Sequence, residues 1–420
     1  MKIIYLTWGE TPRSYGVFGS QVITQFVATR NAIPQAQFLF ASGLPIVHSG
    51  MTREKLGYFA ECRKIRENLG DIPFRLLPIY APQNLVNSSS TSFKWLHGLA
   101  HWHLKRLVKR FNPDVIHCRS YHAAWAALSV RRRFKMDYRI IFDGRGLYPE
   151  EVALKKFFAE DGADYLYLKN IERELLAECD MSIAVSKPME MHYRQLGAKD
   201  CRTIYLSANA DRLKPQSLIE RVSETVNFCY VGALSEDTWH KTSELLRLFR
   251  RIRELIPNAF LTIVTTSDHD AVRSFFDGFS EKEVRIVQTR TLEQLKVFLE
   301  QSDFGLMSYF EPKTSREIML ANMVLAVKTA EYLCNGLPVI VNRFCGGAAA
   351  VVGDYDLGLV YDPSNLGTLT AEAILSRVPD IARRKKIAAI AERLFDYTEH
   401  AHDYASLYEG LIRTTQRSVD

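Results

Sequence analysis

Short apolar runs bounded by turn residues recur along the whole chain and alternate with stretches of helical periodicity. In the first half the runs are KIIYLTW (2–8), FRLLPIY (74–80), DVIHC (114–118), YRIIFD (138–143) and MSIAVS (181–186). In the second half they are VNFCYVG (226–232), AFLTIVT (259–265), EVRIVQ (283–288), FGLMS (304–308) and LPVIVN (337–342). They are rich in Ile, Val, Phe and Tyr and do not strictly alternate with polar residues, the pattern of strands covered on both faces. Between them, residues 93–111 place Leu96, Ala100, Leu104, Leu107 and Phe111 on one helical stripe, and residues 243–256 form a second helical pattern stopped by Pro257.

Strands alternating with helices predict an α/β chain with parallel sheets covered by helices. The polar stretch at 208–225, with Pro215, marks a boundary, and NSSSTS (87–92) reads as a loop. The expected architecture is two doubly wound Rossmann-type domains facing a central cleft. The first spans 1–210 on the acceptor side and the second 225–386. A final helix from about 387 to 416, within a 387–420 tail, is expected to cross back to the first domain. Ligands of such sheets sit at the carboxyl ends of the strands, so the site is expected between the domains.

The length, 420 residues, fits two domains. Hydrophobic residues at 47% and charged residues at 24% exclude a disordered or fibrous chain. No run approaches the roughly 18 apolar residues of a spanning helix. The opening MKIIYLTWGE reads as a buried first strand rather than a secretory leader. Seven dispersed cysteines without a CxxC pair point to reduced thiols in a cytoplasmic protein, against a disulfide framework or zinc knuckle.

The net charge of +6 is uneven: residues 1–210 carry 29 Lys and Arg against 19 Asp and Glu, or +10, and the remainder balances at −4. A basic first half suits anionic lipid, a phosphate-bearing substrate, nucleic acid, or simply a solvated face. Lys105, Arg106, Lys109, Arg110 and the run RRRFK (131–135) lack the aromatic interleaving of nucleic-acid modules, which leaves peripheral contact with an anionic membrane and no nucleic acid. His97 and His101 have the spacing to share a metal, but no acid or cysteine completes a set.

Several segments carry candidate chemistry. They are YGVFGSQV (15–22), NPDVIHCRS (112–120), FDGRGLYPEE (142–151), CDMSIAVSKPM (179–189), SANADRL (207–213), VGALSEDTWHKTSELLRLF (231–249), LEQLKVFLEQSDFGLMS (292–308) and VKTAEYLCNGLPVIVNRFCGG (327–347). In this order and spacing the chain resembles family-4-type glycosyltransferases, retaining enzymes of the two-domain GT-B fold. The resemblance implies a hexosyltransferase-like enzyme of polysaccharide or glycolipid synthesis. It would move a sugar from a nucleotide-sugar donor to a hydroxyl of a glycan or lipid-linked acceptor, with the leaving phosphate helping to remove the acceptor proton. An epimerase of the same fold and a catalytically inactive partner subunit are the alternatives.

Carried over residue by residue, the resemblance implies that Glu331 binds the ribose hydroxyls. A carboxylate can accept both in bidentate fashion. Lys241 matches the family's phosphate lysine. The family's Arg after the strand-end glycine Gly232 is Ala233 here, and its earlier Glu is Met323. Lys328 resembles the lysine of a subgroup lacking that Glu, either as a second phosphate contact or as the partner of Glu331 one turn away. Gly346 and Gly347 would let backbone N–H groups approach the donor, and Gly16 and Gly19 would do so from the opposite wall.

Fixed cations, backbone N–H groups and a helix start can stabilise a leaving diphosphate without a metal or other cofactor. Lys241 stands at such a start, with Thr242 or Ser243 as the expected cap. Asp143 and Arg145, with Glu150 and Glu151, follow a hydrophobic strand, where a parallel sheet presents functional groups. Asp143 is expected to meet a sugar hydroxyl, and Arg145 a phosphate or acidic sugar. A salt bridge between Arg145 and a neighbouring acid is the plainer alternative.

Overall fold

The computed structural model describes residues 1–10, 12–14, 16–47, 53–82, 98–154, 162–216, 225–236 and 239–416. They form two compact units, one of Met1–Ile204 with His400–Asp420, the other of Tyr205–Glu399.

The first unit is built on seven strands: β1 (Lys2–Trp8), β2 (Gln37–Val47), β3 (Phe74–Pro82), β4 (Val115–Arg119), β5 (Arg139–Asp143), β6 (Met181–Ala184) and β7 (Cys201–Thr203). They run in the order β3-β2-β1-β4-β5-β6-β7, and every pair is parallel. β1 is central and buried from Ile3 to Trp8, which is why its sequence is apolar on both faces. The strand order reverses between β1 and β4, so the connections leave in opposite directions and open a crevice at the carboxyl ends. The core combines Tyr5, Phe26 and Phe40 with Tyr404, Leu407 and Tyr408 of the C-terminal helix Tyr397–Gln416.

The second unit has six strands, all parallel: β8 (Val226–Val231), β9 (Ala259–Val264), β10 (Val284–Val287), β11 (Phe304–Met307), β12 (Val339–Asn342) and β13 (Gly358–Tyr361). Their order is β10-β9-β8-β11-β12-β13, with the reversal between β8 and β11. Helix Thr242–Leu255 buries Leu245, Leu248, Phe249 and Ile252 in this unit, at the 3- and 4-residue spacing of its apolar stripe.

Three strands, β2, β7 and β13, were not marked by the sequence pattern. β2 lies in an uncharged stretch containing Ser42, Gly43 and Pro45, and becomes a strand because β1 and β3 bond it on both sides. β7 has three residues and β13 four, the latter at the sheet edge with Leu359 and Val360 incompletely buried. The single helix expected over 387–416 is two helices, Ile381–Phe395 and Tyr397–Gln416. They are broken at Asp396, whose backbone is extended (φ −68°, ψ 142°). The loop NSSSTS, the first turn of the 93–111 pattern (93–97) and residues 217–224 of the boundary stretch lie outside the described residues.

Candidate functional sites

In the second unit the strand reversal gathers residues that the sequence had singled out. Gly232 follows β8 with φ +124°, a conformation costly for any residue with a side chain. A Cβ there would also lie 2.8 Å from the Lys328 Nζ. Lys328, on helix Val327–Cys334, is therefore laid against the strand end by the missing side chain. Its ammonium donates to the Tyr230 hydroxyl at 2.8 Å and sits 4.2 Å from that ring, while Tyr230 Oη in turn donates to the Ala233 carbonyl at 3.0 Å. Lys328 is 9% exposed, and burial pulls its pKa from the ordinary 10.5 down to about 7.

Glu331, one turn on, does not close to an ion pair with Lys328. Burial raises its carboxyl pKa and the nearby lysine only partly offsets this. The His240 ring lies 5.9 Å from the Tyr230 ring, and its Nδ1 donates to the Ser308 carbonyl at 3.0 Å. Burial, with Lys328 close by, pushes its pKa well down and keeps the ring neutral.

Lys241 directly follows His240 and is itself the N-cap of helix Thr242–Leu255, without a side-chain cap bond. The expected cap, Thr242 or Ser243, is corrected: the Glu236 carboxylate accepts from the Ser243 backbone N–H at 2.9 Å and from its hydroxyl at 2.7 Å. An acid from the preceding loop thus serves the helix start.

The glycine pair is also accounted for by packing. Gly346 lies so close to the Asn322 backbone that a Cβ has no room, and the Gly347 N–H donates to the Val324 carbonyl at 3.1 Å. In the first unit Gly16 is exposed with φ +63° and open space where a Cβ would be, whereas Gly19 is tight against the Ser14 carbonyl.

A cavity of 420 Å³ opens at the carboxyl ends of β1, β4 and β5, where the order of the first sheet reverses. Trp8 at the end of β1 and Glu10 and Arg13 after it border the cavity, with Ser120, Tyr121 and His122 after β4, and Arg145, Tyr148 and Glu151 after β5. Ser120 and Arg145 both have positive φ, +71° and +59°, a strained conformation that clusters at functional sites.

Asp143 is fully buried, 2.8 Å from the Arg145 Nε and 3.4 Å from the His117 Nε2. The expectation that Asp143 meets a sugar hydroxyl is therefore corrected. The plainer salt bridge is present, and Arg145, not Asp143, borders the cavity. Glu150 is likewise structural: it is buried, accepts from Tyr165 Oη at 2.8 and 2.7 Å, and pairs with Lys169 at 2.9 Å.

Sequence reasoning missed Arg119. It ends β4, is 6% exposed, and reaches Glu10 at 3.5 Å. Its Nη1 has no hydrogen-bond partner among the described residues. The signal was available, since Arg119 follows the apolar run VIHC just as Arg145 follows RIIFD.

The RRRFK run needs a further correction. Arg131 pairs with Asp180 at 2.7 Å and donates to the Glu178 carbonyl, and Arg132 pairs with Glu174 and Glu178. These arginines tie helix Ser120–Phe134 to helix Ala163–Glu178. On helix Gly98–Phe111, Trp102 is 44% exposed with Arg106 stacked 4.7 Å from its ring. Burial pushes His101 down to about 4, and His97 lies outside the described residues. Among the described residues no helix is long and apolar enough to cross a membrane.

Residues 75–212 match the family model Glycosyltransferase Family 4. The matched segment includes β3 to β7 and most of the cavity border. The comparison with curated proteins gives no match. Among solved structures, the sucrose-phosphate synthase of Thermosynechococcus elongatus is similar at 18% identity and TM-score 0.60, over 98% of this chain and 99% of that one. An Anabaena protein crystallised with UDP and glucose is similar at 14% identity and TM-score 0.59, over 98% and 100%. The lipopolysaccharide outer core galactosyltransferase WaaB is similar at 15% identity and TM-score 0.63, over 97% and 100%. The chain thus matches the family-4 glycosyltransferase model over residues 75–212 and shares the fold of these solved structures along its whole length.

Proposed function

We propose that the second unit holds a nucleotide-sugar donor and that the first unit's cavity receives a sugar of a glycan or lipid-linked acceptor. The observation that carries this reading is Lys328: a buried lysine with a neutral phenol as its hydrogen-bond partner, at the strand reversal, against a glycine that leaves space beside it. A buried cation without a counter-ion is costly and is retained where an anion will meet it. The donor diphosphate is such an anion, with Lys241 as a second cation and Glu331 on the ribose hydroxyls. The Anabaena structure, which holds UDP, supports a uridine nucleotide as the first donor type to try.

Negative charge on the diphosphate grows as the glycosidic bond breaks. Lys328 and Lys241 would therefore act more strongly on the transition state than on the bound donor. The mechanism is read as metal-independent and retaining, with the leaving phosphate taking the acceptor proton. The reading also keeps peripheral contact with an anionic membrane, moved from RRRFK to helix Gly98–Phe111. There Lys105, Arg106, Lys109 and Arg110 stand with the exposed Trp102.

A thermal-shift screen of UDP-, GDP- and ADP-sugars, followed by NMR of the product's anomeric proton, tests the proposal. Stabilisation by a sugar nucleotide that is reduced in Lys328→Met supports it. No shift with any of them, or an inverted product, refutes the donor site or the retaining step respectively.

A further inference from the structure

We infer that Tyr404 and Tyr408, on the C-terminal helix, are positioning residues that fix Arg145 at the cavity, Tyr404 directly and Tyr408 through His117 and Asp143. The inference rests on reading that cavity as the acceptor site. Starting from the carboxylate, each hydrogen-bonding role in the group follows. Burial pushes the Asp143 carboxyl up, but the Arg145 guanidinium and the His117 hydrogen bond outweigh it and hold Asp143 ionised. An ionised carboxylate only accepts, so the His117 Nε2, 3.4 Å away, carries a proton. Burial lowers the His117 pKa, so the ring is neutral and its Nδ1 is a bare acceptor. Tyr408 Oη lies 2.7 Å from that nitrogen and therefore donates to it.

Arg145 closes the group from the other side. Its Nε faces Asp143 at 2.8 Å and its Nη2 donates to Tyr404 Oη at 3.3 Å. The side chain so held borders the cavity. The Arg145 backbone at φ +59° has no intrinsic preference for this placement, so the side-chain contacts must hold it. Packing alone does not call for the two hydroxyls. The Tyr404 and Tyr408 rings lie 5.2 and 5.9 Å from His117, where phenylalanine would fill the same space, and a buried hydroxyl is costly unless it is bonded.

The test uses the full-length protein, deuterated and labelled with ¹⁵N-arginine and ¹⁵N-histidine, as wild type, Tyr404→Phe, Tyr408→Phe and Arg145→Lys, the last to assign the Arg145 signal. The wild type is expected to show a rigid Arg145 Nε–H, with an order parameter of about 0.85, and His117 protonated on Nε2. Each Phe variant is expected to lower the Arg145 value below about 0.6 while Arg131, tied to Asp180 in the same unit, stays rigid. Unchanged Arg145 order in both variants overturns the inference. Equal loosening of Arg131 does so too, since it would mean the tyrosines only stabilise the fold.

Should Tyr408→Phe fail to fold, Tyr404→Phe decides alone, because it removes a single hydroxyl from the guanidinium. Methyl glucoside and glucose 6-phosphate titrated into the wild type test the acceptor reading separately. A moving Arg145 Nε signal supports that reading, and a still one with both sugars sinks it without touching the positioning result.

Discussion

Replacing Lys328 by Met should make the ligand-free protein more stable and the enzyme nearly inactive. The lysine's pKa falls from 10.5 to about 7 because burial penalises the charged form. At about 1.36 kcal/mol per pH unit, holding this group in place costs about 4 kcal/mol near neutral pH, and local relaxation brings that to about 2–4 kcal/mol. Methionine has a similar unbranched stem and no charge. Tyr230 Oη keeps its bond to the Ala233 carbonyl, so little is left unsatisfied.

The sign follows from proton counts. Between pH 7 and 10.5 the unfolded chain binds more protons at this lysine than the folded one, so wild-type stability should rise with pH in that window. Below about pH 7 both forms are protonated and the penalty is constant. In Lys328→Met this contribution to the slope should vanish, and the melting transition of the second unit should rise by about 5–15 °C at pH 7. If Lys328 faces the donor phosphate as proposed, turnover should fall by about 10²–10³-fold. Scanning calorimetry from pH 6.5 to 9 on both proteins, with donor kinetics alongside, makes the comparison. A variant that is no more stable than wild type, or a wild type whose stability does not climb with pH, would refute the reasoning.

Three further outcomes are expected. Glu331→Ala should raise the donor dissociation constant about tenfold or more, whereas Glu150→Ala should leave donor affinity intact and cost about 1–3 kcal/mol, since it leaves the Tyr165 hydroxyl unbonded while Lys169 keeps Glu172; calorimetric titration and melting separate the two. Lys241→Ala should lower turnover by about 2–4 kcal/mol while donor affinity falls less, with wild-type activity surviving EDTA; activity abolished by EDTA and restored by manganese would contradict the fixed-cation mechanism. Changing Lys105, Arg106, Lys109 and Arg110 together to Gln should weaken salt-sensitive binding to anionic vesicles. Changing Arg131 and Arg132 should instead lower the melting temperature, and vesicle sedimentation in rising salt distinguishes them.

The alternation of apolar runs and helical stripes was enough to determine parallel α/β units, because strands buried on both faces must be apolar throughout. The order of segments from YGVFGSQV to CGG was enough to suggest the family. The sequence by itself also pointed to Gly232 and Arg145, which come just past apolar strand runs, and through the family resemblance to Lys328. It did not reveal β2, a strand through Ser42 and Gly43 that is held by β1 and β3 on both sides, nor the turn at Asp396.

Only the tertiary structure decided which charges were free. Asp143, Glu150, Arg131 and Arg132 look like candidates in one dimension, and each has its partner 2 to 49 residues away. Conversely, Lys328 looked like half of an i,i+3 pair with Glu331, and the structure turned it to a phenol 98 residues back. The physical reason is common to all of them. Whether an ionisable group is spent or available depends on what desolvates it and what neutralises it, and the fold sets both, through remote elements for all but the Asp143–Arg145 pair.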